Sequence, residues 1–153
     1  MCMKLNETQE LDDFKEILLG KKLGRGAYRD VYECALNKEY VVKVENDNNG
    51  FSNAREWKLW EHVEYSPFEK FFAPCISISD TGLILIQKKV VQNDKLPETV
   101  AHFFTDVKPE NFGWIGKNFV CCDYGSIGYQ HVWSEKKTKK PHWKDFFTQN
   151  KIV

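Results

Sequence analysis

The chain has 153 residues, a formal net charge of zero, 42% hydrophobic and 14% aromatic residues. That is enough for one domain with a real core, and too apolar for a disordered chain. The neutral balance gives no global sign of a nucleic-acid or membrane partner, although the last 23 residues carry six lysines against Glu135 and Asp145.

Met1 to Phe14 is too polar for a signal peptide, and no apolar run reaches membrane length. Five cysteines, Cys2, Cys34, Cys75, Cys121 and Cys122, form no C-x-x-C pair. They read as reduced, buried thiols and as a cytoplasmic setting rather than as a zinc site or disulfide framework.

In chain order, residues 8–19 predict a short amphipathic helix with Leu11, Phe14 and Leu18 on one face. KKLGRGAYRDVYECAL predicts strand, glycine turn, strand; NKE is a hairpin turn, and YVVKVE a β-branched strand. NDNNG is a polar loop. Residues 52–64 predict a helix with Ser52 or Asn53 as N-cap. PCISISD and GLILIQKKVV predict two strands about an Asp80–Gly82 turn. Residues 97–104 predict a short helix, and FGWI and NFVCCD two short strands. No clear period follows Gly125. The fold class is α+β: a five-stranded antiparallel sheet with one inserted helix, then a small mixed piece.

The polar residues of interest sit at the edges of these elements. Gly24 and Gly26 flank Arg25 at a strand reversal, where missing Cβ atoms would let backbone amides approach a phosphate; taken alone, the segment reads better as a ligand-free glycine hairpin. Lys43 shares a strand face with Val41 and Glu45. Glu56 shares a helix face with Leu59, Trp60 and Val63, so a carboxylate there needs a partner if that face is buried. Two partners are open: the Asn53 amide in a capping box, or Lys43. FTDVKPENFGW holds Asp106, Lys108 and Asn111 in a loop set by Pro109. Asp123 ends an apolar strand just before Gly125, a geometry that also suits an oxygen ligand for Mg²⁺.

Taken in order, these segments resemble the protein kinase superfamily, in a miniature Ser/Thr-kinase-like form of bacterial or phage type. LGRGAYRDVY resembles the glycine-rich loop, with Arg29 in place of the third glycine. VVK resembles the third-strand lysine motif, and Glu56, thirteen residues on, suits its helix partner. DVKPEN matches the Ser/Thr-type catalytic loop, and DYG resembles D-F-G, twelve residues beyond Asn111. The resemblance covers roughly residues 20–126.

The resemblance implies ATP and Mg²⁺ as cofactors. Gly24, Gly26 and Val31 would cover the nucleotide; Lys43 would bind its phosphates and pair with Glu56. Hinge backbone at Gln87, Lys88, Lys89 and Val90 would hold adenine, with Ile86 near the gatekeeper position. Asp106 would be the base, Lys108 would stabilise the transferring phosphoryl group, and Asn111 and Asp123 would hold the metal. The charge of Arg29 could also reach phosphate. A protein substrate, or the chain itself, is the implied partner; the rival expectation is an inactive nucleotide- or protein-binding module. The loop Asp-Val-Lys-Pro-Glu-Asn argues against a small-molecule kinase.

The chain departs from the family in two ways. Phe104-Thr105 replaces His-Arg before the catalytic Asp, which puts activation-loop control in doubt. Only fifteen residues separate Val90 from Asp106, 28 follow Gly125, and no A-P-E appears. The expected organisation is therefore one domain: residues 1–90 as amino-terminal lobe and hinge, and 91–153 as a reduced second lobe with a basic, aromatic tail. In that tail, a helix after Pro141 would pack Trp143, Phe146 and Phe147 inwards. The histidines at 62, 102, 131 and 142 lack metal spacing.

Overall fold

The computed structural model describes residues 7–46, 50–134 and 136–143. Helix α1 (Glu7–Leu18) runs directly into strand β1 (Leu19–Arg25). β2 (Arg29–Cys34) and β3 (Tyr40–Glu45) follow, then helix α2 (Ser52–Val63), β4 (Cys75–Ile78) and β5 (Ile84–Lys88). All neighbours pair antiparallel in the order β1-β2-β3-β5-β4. This is the five-stranded sheet with one inserted helix expected from the hydrophobic pattern.

Strand alternation divides β3 into two faces. Val42 and Val44 pack with Ile84, Cys34 and Leu18 on one side, so the end of α1 covers that face. Val41, Lys43 and Glu45 point to the other. Leu18 is buried as predicted, whereas the side chains of Leu11 and Phe14 lie outside the described ones.

α2 packs over the Lys43 face through Leu59, Trp60 and Val63. Its N-cap is not Ser52 or Asn53 but Phe51, in the left-handed region (φ 53, ψ 28) and without a side-chain cap. Asn53 is drawn into the first turn because its amide has better partners: Nδ2 donates to Lys43 O (3.0 Å) and Leu83 O (3.1 Å).

The remainder is built from small pieces: β6 (Val100–Ala101), the hairpin β7 (Phe112–Ile115) and β8 (Asn118–Cys121), and β9 (Thr138–Lys139). The helix predicted over 97–104 is absent. Val100 and Ala101 pair instead with Lys139 and Thr138 and are buried. A short apolar run fits either period, and here a distant strand decides.

The link from the sheet is a strap. Val91 bridges Trp114, Gln92 Nε2 donates to Glu110 O and Phe112 O, and Trp114 Nε1 donates to Lys95 O. An aromatic cluster of Phe72, Phe103, Phe104, Phe112 and Phe119 fills the space beneath. Trp143 joins it, at 6.0 Å from Phe112, and donates from Nε1 to Pro97 O at 2.7 Å. Phe146, Phe147 and the body of the helix predicted after Pro141 lie outside the described residues, as does Cys2. Cys34, Cys75, Cys121 and Cys122 carry free thiols. Among the described residues no helix is long and apolar enough to cross a membrane.

Candidate nucleotide cleft

The sheet edge, the strap and the 104–114 loop enclose a cleft of about 680 Å³. Its upper wall holds Gly24, Gly26, Arg29, Val31, Val41 and Lys43; its back holds Gln87, Lys88, Lys89 and Val90; its floor holds Lys108, Asn111 and Asp123. Residues from six separate stretches thus converge on one space.

Lys43 is placed by the β3 alternation. Its Nζ lies 2.9 Å from Glu56 Oε2 and also donates to Cys122 O. Glu56 is fully buried, behind the cleft rather than in its lining. It forms no capping box. Oε1 accepts the Tyr124 amide at 2.7 Å, and Oε2 takes both Lys43 and Arg29, the latter at 2.8 Å. Burial alone would raise this carboxyl, but the Arg29 and Lys43 charges outweigh it and hold the pKa down at about 2.

Arg29 is the residue whose position sequence reasoning left open. It is 6% exposed. Nη1 donates to Asn53 Oδ1 (2.9 Å) and Nη2 to Asp123 Oδ1 (3.0 Å), in addition to the Glu56 pair. Burial would lower the guanidinium pKa, yet the two carboxylates raise it beyond its ordinary value.

The loop tip is short. Gly26 N donates to Arg29 O at 2.8 Å, and Asn46, just past β3, donates from its backbone to Tyr28 O and from Nδ2 to Ala27 O. Asn46 was not singled out from the sequence; its place as the first residue of the polar loop was the available signal.

Pro109 opens a 3₁₀ turn over 109–111. It fixes Asn111 so that Nδ2 donates to both Asp106 O (2.9 Å) and Asp106 Oδ2 (3.0 Å). Lys108 Nζ lies 3.5 Å from the same carboxylate. Asp106 is itself open to solvent, with 58% side-chain exposure, and stands beside the cleft rather than in its lining. Phe104, two residues before Asp106, is buried among the aromatic rings, and Lys139 Nζ donates to its carbonyl.

Two expectations change at the back of the cleft. Ile86 pairs with Val42 and packs on the far face with Val42 and Val44, so it does not border the cleft. The register puts Leu85 and Gln87 on the Lys43 face, and Gln87 is the buried residue lining the cavity. The Lys88 and Lys89 amides already donate to Pro74 O and Glu39 O, so the hinge amide without a named partner among the described residues is that of Val90.

Tyr124, the middle residue of DYG, points away from the cleft into the core. Its hydroxyl donates to Ala73 O at 2.7 Å and lies 3.1 Å from Cys75 Sγ. Burial pushes the phenol well above its ordinary range and the Cys75 thiol to about 12; it also takes Cys122, at the cleft, to about 11 against the pull of Lys43. Among the described residues no cluster of three His, Cys, Asp or Glu side chains could hold a metal.

No family model matches the chain, and no curated protein matches it. Parts of solved structures do. The gentamicin–APH(2")-IIa complex aligns over 61% of this chain at 23% identity and a TM-score of 0.44, and the streptomycin–ATP–APH(2")-IIa ternary complex over 60% at 23% and 0.42. Aminoglycoside phosphotransferase APH(2'')-Ib, ADP-bound, aligns over 58% at 24% and 0.43. The chain spans about a third of the length of each, 31%, 31% and 30%. Likeness of this extent says nothing about reaction or substrate. On its own topology, with α2 inserted between β3 and β4 and its glutamate paired to the β3 lysine, the fold is a kinase-like α+β fold with a small second lobe.

Proposed function

We propose that this chain is an ATP- and Mg²⁺-dependent phosphotransferase of the Ser/Thr-kinase type, acting on itself or on a tethered protein partner. The observation that carries the reading is the convergence of Gly24, Gly26, Lys43, Lys108, Asn111 and Asp123 on one cleft, with Asp106 hydrogen-bonded at its mouth.

The positions support the roles that the resemblance implies. Backbone at Gly24 and Gly26 covers the phosphates, and Lys43, fixed by Glu56, meets the α- and β-phosphates. The Val90 amide holds adenine. Asp106 accepts the proton of the attacking hydroxyl, and Lys108 offsets charge on the transferring group. Such a transfer asks little covalent chemistry of a protein; preorganised charge and alignment carry it.

The donor chemistry suits Mg²⁺, which takes oxygen ligands and few protein groups. Asn111 spends its Nδ2 on Asp106, leaving its amide oxygen as an acceptor, and Asp123 has one carboxylate oxygen beyond the one held by Arg29. When bound, the ion would neutralise β- and γ-phosphate charge. The free thiols suit a reducing cytoplasm.

Only fifteen residues lie between Val90 and Asp106, too few for a helical peptide platform, so transfer is slow and local. γ-Labelled ATP with purified protein and a lysate tests this. Label should appear on the chain or on a few proteins, and Asp106→Asn should abolish it while ATP still binds, since the base acts on the hydroxyl. Equal labelling by both proteins would favour the second reading, an inactive nucleotide-binding module, for which the burial of Phe104 before Asp106 speaks.

A further inference from the structure

Arg29 stands at the start of β2, where the side chain enters the cleft wall instead of solvent. Its surroundings are built to hold it. Asn53, which accepts from Nη1, is locked by Lys43 O and Leu83 O, and its own amide donates to Glu45 Oε1. Glu56 and Asp123 supply the two anions. A guanidinium has five N–H donors in a rigid fork. Three are engaged by Asn53, Glu56 and Asp123 within the described residues, and the side chain borders the cleft.

The charge balance then decides what the site accepts. Arg29 and Lys43 oppose Glu56 and Asp123, so this wall is neutral. With an uncharged residue at 29 this wall would carry one net negative charge, and Lys88, Lys89 and Lys108 at the back and floor would be left to offset both it and a triphosphate. The same guanidinium also holds one Asp123 oxygen, so a cation there must share that carboxylate with Arg29.

We propose that Arg29 is a built-in counter-charge of the nucleotide site: it supplies at the Asp123 wall the positive charge that a divalent cation would otherwise have to bring, so the chain binds metal-free ATP with little loss relative to Mg²⁺–ATP. This rests on the nucleotide reading of the cleft. It concerns binding alone; phosphoryl transfer keeps its need for the ion.

Calorimetric titration of the purified chain with ATP, once in excess Mg²⁺ and once in EDTA, tests the proposal. The expected ratio of the two dissociation constants is less than about tenfold. Arg29→Gln keeps a polar side chain without the charge; it should weaken metal-free binding by about tenfold or more and Mg²⁺–ATP binding by less, widening the ratio. A wild-type ratio above about tenfold, or an Arg29→Gln ratio equal to wild type, overturns the proposal. If circular dichroism shows Arg29→Gln unfolded, the wild-type ratio decides. Binding in neither buffer would instead refute the nucleotide reading, and this inference with it.

Discussion

Glu56 takes three donors in a fully buried position, and this single carboxylate ties helix α2 to β3, to the start of β2 and to the segment after Asp123. Its sign in pH is definite. The folded pKa of about 2 lies below the unfolded value of about 4.3, so the unfolded chain binds more protons between them. The stabilisation is complete above the unfolded pKa and is lost as pH falls through the folded one. Denaturant titrations across that acid range should show stability dropping with falling pH. Glu56→Gln should flatten the dependence and cost on the order of 3 kcal/mol near neutrality, because two buried cations lose their shared anion. The Lys43 pairing was one of two partners that the helix face left open, and the resemblance, rather than the spacing, pointed to it. The Arg29 contacts were not. Asn53 and Asp123 lie 24 and 94 residues away, and nothing local to Arg29 distinguishes an outward loop residue from a buried clamp.

At the scale of elements, strands with strong alternation were readable and short mixed runs were not. β3 and β5 appear where their β-branched residues place them, and the register follows from which face must be buried. The face assignment fails for Ile86 because hinge position was inferred from order along the chain, whereas pairing with Val42 sets direction. Residues 97–104 read as a short helix, but Thr138 and Lys139 offer a strand partner no local pattern could reveal. The junction after Asp123 is similarly non-local. A Cβ on Gly125 would lie 2.8 Å from Ser52 O, the backbone at the start of α2. Gly125→Ala should therefore push the segment that carries Asp123 away from the helix and destabilise the fold by about 1–3 kcal/mol, measured by chemical denaturation. An unchanged midpoint would mean that the contact gives way freely.

Across the molecule, one core joins the two parts. Leu59, Trp60 and Leu85 from the sheet-and-helix side pack in the same cluster as Phe103, Phe112, Tyr124 and Trp143. The aromatic residues cover the underside of α2 and support the Asp106 loop. Trp143→Ala should cost about 3–5 kcal/mol and lower one cooperative melting transition, seen identically by fluorescence and far-ultraviolet circular dichroism. Two separated transitions would show that the halves are independent. The inward role of Trp143 was readable from its place in a lysine-rich tail, because a Trp among charges needs cover. The small strands that receive it were not readable, being only two residues long.

The central claim is that the cleft between Lys43 and Asp123 receives a nucleotide, and ligand-dependent melting tests it most directly. At ATP concentrations about a hundredfold above the dissociation constant, a native-state ligand adds about 2.7 kcal/mol, or roughly 5–10 °C in a chain of this size. Wild-type protein with Mg²⁺–ATP should show that rise, and Lys43→Met, which removes a cation from the cleft wall, should show less than about half of it. No rise for wild type at millimolar ATP, or an equal rise in Lys43→Met, would contradict the account.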